Sequence, residues 1–415
     1  MGPITLFDKS FLQSLSLDES VFFDHFFLPV ICPLFYVETL ADLEKSIRQG
    51  RTPEQEVGII ADKIPDMNGA PCAYHADLAT ANLFGANIPL DGRIPRAGGR
   101  RVKDNGKVGV VFPEAPEAEA FTRWQQREFL YVERQFARVW RTTLNAIDLA
   151  SIATEMKAMG INPQTCRSVQ DAKHLVDKSL ERRGSTAAHQ ITLALRMLDV
   201  PQEYASRVTQ RWRFLGRPPL VTLAPYASYM LAVELFFQVA LGADLISTTD
   251  ANNRTDIGYL FYLPFCHLFV SSDHLHKRCA PEFLRRDQSF VWGPDLKKDL
   301  HRLMAIYAER PEQEKEQGLI RLAPTPPKDD RESLVVQLWD RHLHDSWRTS
   351  SVRAPSRNAQ EDSELIEHIN RLTLAPSLTE NEAHIDPASA NFVHLQRRVL
   401  KRKGNWWQLP KDLKG

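Results

Sequence analysis

The chain has 415 residues, 43% hydrophobic and 25% charged, enough for a sizeable core and more than one domain. Lys plus Arg and Asp plus Glu each number 52, so the formal net charge is zero, which excludes a histone-like polycation but not a local basic patch. The five cysteines (Cys32, Cys72, Cys166, Cys266, Cys279) are odd in number and scattered, which argues against a disulfide framework and for a reducing, cytoplasmic setting.

Asp8 and Lys9 interrupt the first apolar stretch, so no signal peptide is expected. Ile4 to Phe7 reads as a buried strand ending at Asp8, a helix follows from Leu17, and Leu28 to Cys32 reads as a second buried strand. Pro33 then opens a helix with apolar residues at Leu34, Val37, Leu40, Ala41 and Leu43, and with Glu38 about one turn in. Residues 51–87 read as mixed helix and loop. The turn signal Asp104-Asn105-Gly106 predicts a hairpin, with VGVVF as its second strand. Glu114 to about Gly160 is expected to form one long amphipathic helix, followed by helices over Ser168–Arg183, Ala187–Leu198 and Pro201–Leu215.

Leu223 to Ala243 is the most apolar stretch. Pro225, Glu234 and Gln238 interrupt it, so it reads as a buried helix and not a membrane span. A helix is expected to begin at Thr255 or Asp256, with Leu268 to Val270 a strand, HLHKRCAPEFL a helix, SFVW a strand and GPDLKKDLHRLMAIYAE a helix. Pro324 to Asp330 and Ser350 to Asp362 read as linkers, with helices around Ser333–Trp347 and Glu364–Leu372. The α/β rhythm thus stops and resumes. The reading is an α/β domain from residues 1–48 and 220–308, a mostly helical insertion at 49–219, and a C-terminal extension at 309–415.

Four acids sit where an α/β domain exposes functional groups. Asp8 and Asp273 follow strands, Glu38 lies in an early helix, and Asp256 lies near a helix start. In open α/β sheets the crevice beyond the carboxyl ends of the strands is the usual binding site. Carboxylates converging there repel one another unless a divalent cation compensates them, and oxygen-only ligation suits Mg²⁺ or Mn²⁺. Such ions activate water in phosphodiester hydrolysis.

LFDKSFLQ, PLFYVETLADLE and TDIGYLFYLPFCHLFVSSD resemble the acidic motifs of PIN-like domains, a family of metal-dependent nucleases. The resemblance covers less than half of the chain. It implies a PIN-like parallel-sheet fold and Asp8, Glu38, Asp256 and Asp273 as catalytic metal ligands. Ser10 and Asp42 would be supporting groups. It also implies an endonuclease, with RNA favoured over DNA, and by family habit a toxin or defence role held in check by a regulatory partner. The gap between Glu38 and Asp256 is far longer than in a compact PIN domain, which leaves Asp250 as an alternative third acid.

Other readings remain beside it. A haloacid-dehalogenase-type phosphatase needs a second Asp where this chain has Ser10. Cys72 with His75 and His276 with Cys279 have the short spacing of zinc ligands. Arg100, Arg101 and Lys103 form a basic loop. Arg397, Arg398, Lys401, Arg402 and Lys403, with Trp406 and Trp407, place cations beside stackable aromatics, which suits single-stranded nucleic acid and equally a solvated tail whose two tryptophans dock on the protein's own surface. The non-enzymatic alternative is an interaction scaffold with a vestigial acidic site.

Overall fold

The computed structural model describes residues 2–45, 50–181, 185–198, 200–349, 367–368, 370–378 and 390–413. Its strands are β1 (Ile4–Phe7), β2 (Leu28–Ile31), β3 (Ala70–Pro71), β4 (Arg100–Asp104), β5 (Lys107–Phe112), β6 (Leu268–Ser271), β7 (Ser289–Trp292), β8 (Phe392–Leu395), β9 (Arg402–Lys403) and β10 (Trp406–Trp407). Thr5, Leu6 and Phe7 are fully buried, as in an interior parallel strand covered on both faces. The chain is α/β: five strands pair in parallel in the order β3-β2-β1-β6-β7, flanked by helices. β1 pairs with β2 on one side (Thr5 opposite Pro29) and with β6 on the other (Thr5 opposite Leu268). The strand order therefore reverses beside β1, and the carboxyl ends of β1 and β6 flank that switch point.

The strands expected around Asp8, Cys32 and Asp273, and the SFVW strand, are all present. β3 was not anticipated. It comes from the stretch read as an insertion yet forms the sheet's edge, through pairing of Val30 with Ala70 and Ile31 with Pro71. One apolar core runs without a break from β1 through that stretch to Trp406. The hairpin is present as β4 and β5. Asn105 and Gly106 both have positive φ (50° and 78°), the requirement of a tight two-residue turn.

The single helix expected over 114–160 is three: Pro116–Gln125, Tyr131–Asn145 and Leu149–Ala158. Arg127 at φ 62° breaks the first junction, and the Asp148 side chain, accepting from the Ser151 N–H at 2.9 Å, caps the third helix. The apolar helix Pro225–Gly242 is buried on nearly all sides and packs on Leu149–Ala158, Val169–Leu180 and His75–Phe84. Its Glu234 is neutralised by Arg254 at 2.5 Å. Among the described residues no helix is long and apolar enough to cross a membrane.

Pro324 to Asp330 is not a free linker. Asp330 pairs with Arg302 at 2.6 Å, and the following helix Leu334–His342 is pinned by Trp339, whose indole donates to the Phe26 carbonyl at 2.9 Å. The linker expected at Ser350–Asp362 lies outside the described residues, as does the first part of the helix expected at Glu364–Leu372.

The basic tail folds back onto the core, the arrangement expected of docked tryptophans, with Arg398 and Arg402 left exposed. Arg397 donates to the Met67 and Gly69 carbonyls (2.7 and 3.0 Å), and Lys403 donates to the Ile64 carbonyl at 2.6 Å. Trp406, 5% exposed, meets Phe22 edge-on with ring centroids 4.8 Å apart. Trp407 is half-buried with the exposed Arg402 guanidinium 5.5 Å from its ring, Lys401 donates to the Lys411 carbonyl, and Arg398 is exposed. In the hairpin, Arg100 donates to the Ala375 and Thr373 carbonyls, while Arg101 is half-buried and Lys103 exposed.

Trp406→Ala is therefore expected to lower the unfolding free energy by about 3 kcal/mol, in the range for large core truncations. Urea denaturation checks this; a loss below about 0.5 kcal/mol, the usual surface value, would restore the solvated-arm reading.

Candidate functional site

Asp8 ends β1 and caps the helix Lys9–Ser14, its Oδ1 accepting from the Phe11 N–H at 2.9 Å. Its Oδ2 accepts from the Ser10 hydroxyl at 2.6 Å and the Ser271 hydroxyl at 2.7 Å. His276 Nδ1 lies 3.3 Å from that same oxygen. The Ser271 oxygen, whose proton is directed at Asp8, accepts from the Asp273 N–H at 2.9 Å and faces His276 Nδ1 at 2.8 Å. His276 Nε2 donates to the Asp256 carbonyl at 2.7 Å while Nδ1 faces the Asp8 carboxylate, an arrangement that favours the doubly protonated ring. Burial opposes its charge, but Asp8 overrides this and lifts His276 to about 9. Burial likewise opposes the Asp8 carboxylate, and the His276 cation with the two hydroxyls holds it below the ordinary value.

The second ion cluster centres on Lys9. Its ammonium, 6% exposed as a residue, lies 3.1 Å from Glu38 and 3.0 Å from Asp42. Burial disfavours the charged lysine, but the two carboxylates raise its pKa above the usual value. Glu38 also accepts from the Tyr259 hydroxyl at 2.7 Å, and Lys45 reaches Asp42 at 2.7 Å. Asp42 is thus a partner of lysines, and Ser10 orients Asp8.

Asp256 is not at a helix start. The helix runs Asn252–Tyr259, and the exposed Asp250 carboxylate, accepting from the Asn252 N–H at 2.9 Å, supports its first turn. Asp256 consequently sits a full turn inside. Burial first, then Glu38, Asp273 and Asp8, push its carboxyl up to about 8 against the pull of His276. Asp273 caps the helix His274–Cys279, accepting from the Leu275 N–H at 2.6 Å.

All four expected acids, with Ser10, Asp42 and Asp250, line one polar cavity of about 290 Å³ at the carboxyl ends of β1 and β6. Among the described residues, no group of three or more His, Cys, Asp or Glu side chains stands close enough to hold one ion. The donor chemistry nevertheless fits a hard divalent cation: the ligands are oxygens, and Glu38, Asp273 and Asp8 all push on Asp256 although Lys9 pairs with Glu38. Zinc pairing of Cys72/His75 with His276/Cys279 is not built. His276 serves Asp8, and His75 Nδ1 bonds the Tyr262 hydroxyl at 2.8 Å.

Sequence reasoning missed Lys9, His276, Ser271 and Tyr259, and the cavity's outer wall of Trp140 and Arg141. Only Lys9 carried a local signal, since it sits between Asp8 and Ser10.

The Asp256 shift has a pH signature. Folding favours its protonated form, so this contribution is fully present below 3.8 and is lost as the pH rises through about 8. Asp256→Asn, which cannot ionise, should gain stability relative to the parent as pH rises across that window, seen in thermal melts with EDTA. A stability gap that is the same at every pH would contradict the assignment.

Comparison with protein-family models, curated proteins and solved structures finds no match to the chain.

Proposed function

We propose that this protein is a divalent-metal-dependent endonuclease of PIN-like architecture, with RNA favoured as substrate. The observation that carries the reading is the convergence of Asp8, Glu38, Asp256 and Asp273 on one cavity at the switch point of a parallel sheet, where burial first and then the other acids push the Asp256 carboxyl up to about 8. The choice of RNA rests on the motif resemblance alone.

Asp8, Glu38, Asp256 and Asp273, which line the same cavity, would hold Mg²⁺ or Mn²⁺. The bound ion would supply charge neutralisation at a phosphodiester and an activated water. The chain's own groups do the rest. Ser10, Ser271 and His276 fix the Asp8 carboxylate in one orientation. Lys9 fixes Glu38, and Lys45 and Arg141 border the cavity as cations for the phosphate.

One observation favours a second reading. Lys9 and His276 already supply buried positive charge to the acids, as in a site that binds nucleic acid without cutting it.

Asp273→Asn is the cleanest test, because asparagine caps a helix about as well as aspartate. Purified protein with Mn²⁺ should cut RNA oligonucleotides and should stop in EDTA. Asp273→Asn and Asp256→Asn should each lower the rate by about 10²–10³-fold, the cost of deleting one preorganised electrostatic group. Cutting that survives both substitutions would overturn the metal-site reading. Absence of cutting with tight oligonucleotide binding would favour the second.

A further inference from the structure

The basic loop and tail largely turn inward, so the surface that receives a substrate strand lies elsewhere. We infer that the helix Tyr131–Asn145 is a stacking platform for single-stranded nucleic acid, leading a strand into the acid cavity through Trp140. The inference rests on the proposed nuclease reading for the position of the scissile phosphate.

Trp140 is the shared wall of three cavities. It lines the acid cavity, a neighbouring pocket of about 180 Å³ with Tyr74 and His75, and a wider one of about 650 Å³ with Phe136 and Tyr36. Phe136 and Trp140 are one turn apart with rings 18° from parallel and centroids 6.4 Å apart, so together they form a continuous aromatic face. Phe136 is 42% exposed and Tyr131 77%, large exposures for aromatic rings on a helix that also buries a face through Ala137 and Leu144.

The charge on the same helix is complementary to phosphate. Arg134, Arg138 and Arg141 recur at about helical spacing; Arg134 pairs with Glu54 at 2.6 Å and Arg138 lies 3.7 Å from Glu44, partly exposed pairs of the weak kind that a strand's phosphates can compete with, and the helix's acid, Glu133, is buried and paired with Arg123 at 2.6 Å. Arg141 borders the acid cavity; it donates to the Ala41 carbonyl at 3.3 Å, and its buried Nε has no hydrogen-bond partner. Cations alternating with exposed aromatic faces suit a single strand, whose bases are free to stack, and not a duplex, whose bases are covered.

The test is fluorescence anisotropy in EDTA with the full chain. The probes are labelled dodecamers of oligouridylate and oligothymidylate, and a duplex of the same length. Trp140→Ala and Phe136→Ala should each weaken single-strand binding about tenfold, the loss of one stacked base, while Trp140→Phe stays near the parent. Phe214→Ala, which removes an aromatic side chain 89% exposed elsewhere, should change nothing. Duplex should bind more weakly than either single strand, and the ratio of the RNA to the DNA probe shows which strand the platform takes. Equal binding of duplex, no binding of either strand, or unchanged binding in both alanine variants would overturn the platform. Failure of the nuclease reading appears separately, as a strand that binds through Trp140 yet is not cut when Mn²⁺ is added.

Discussion

The Asp8–His276 pair joins two distant parts of the chain at the seam between β1 and β6. Each partner is buried, and each stabilises the other's charge against the cost of burial beside the acid cavity. Asp8 caps one helix, Ser271 ends β6, and His276 reaches the Asp256 carbonyl, so a single ion pair ties together two helix starts, the interior of a third helix and two strand ends. Removing one partner of such a pair leaves an uncompensated buried charge, worth about 3–5 kcal/mol.

The remaining charges follow from that arrangement. Lys9, the residue next to Asp8, is carried by the same helix turn to Glu38 and Asp42 and satisfies both. Asp256 then stands buried among three carboxylates with only His276 pulling the other way, so burial and repulsion together push its carboxyl towards the protonated form. A site that must hold a proton to stay balanced is one that a cation can enter by displacing it. This is the physical link between the fold and the proposed hydrolysis. It also explains why the acids, in their present arrangement, are not gathered into a preformed ligand cage.

Much of this was legible in local sequence. Strands β1, β2, β6 and β7 are short apolar runs, β1 and β6 ended by polar residues and β2 and β7 followed closely by proline, and the acids that follow β1 and β6 end in the cavity that the strand-end rule predicts. The rest depended on contacts that have no local signature. β3 is only Ala70–Pro71, too short for any periodicity, and exists because Ile31 and Val30 offer it an edge. His276 looked like half of a zinc pair because its true partner, Asp8, lies far away in the chain. The start of the Asp256 helix was misplaced because Asp250, read as a rival ligand, supports its first turn. The tail's cations and tryptophans fit both a nucleic-acid arm and a docked strap; the open face of Phe22, which decides for docking, is visible only in three dimensions.

The central claim is that the acid cavity takes a divalent cation because His276 and Lys9 only partly offset the carboxylates around Asp256. Mn²⁺ binding, followed by electron paramagnetic resonance of the free ion at neutral pH, tests it most directly. The account predicts saturable binding to the parent chain that is lost or strongly weakened in Asp256→Asn. Absence of saturable binding, or binding indifferent to Asp256→Asn, would contradict it.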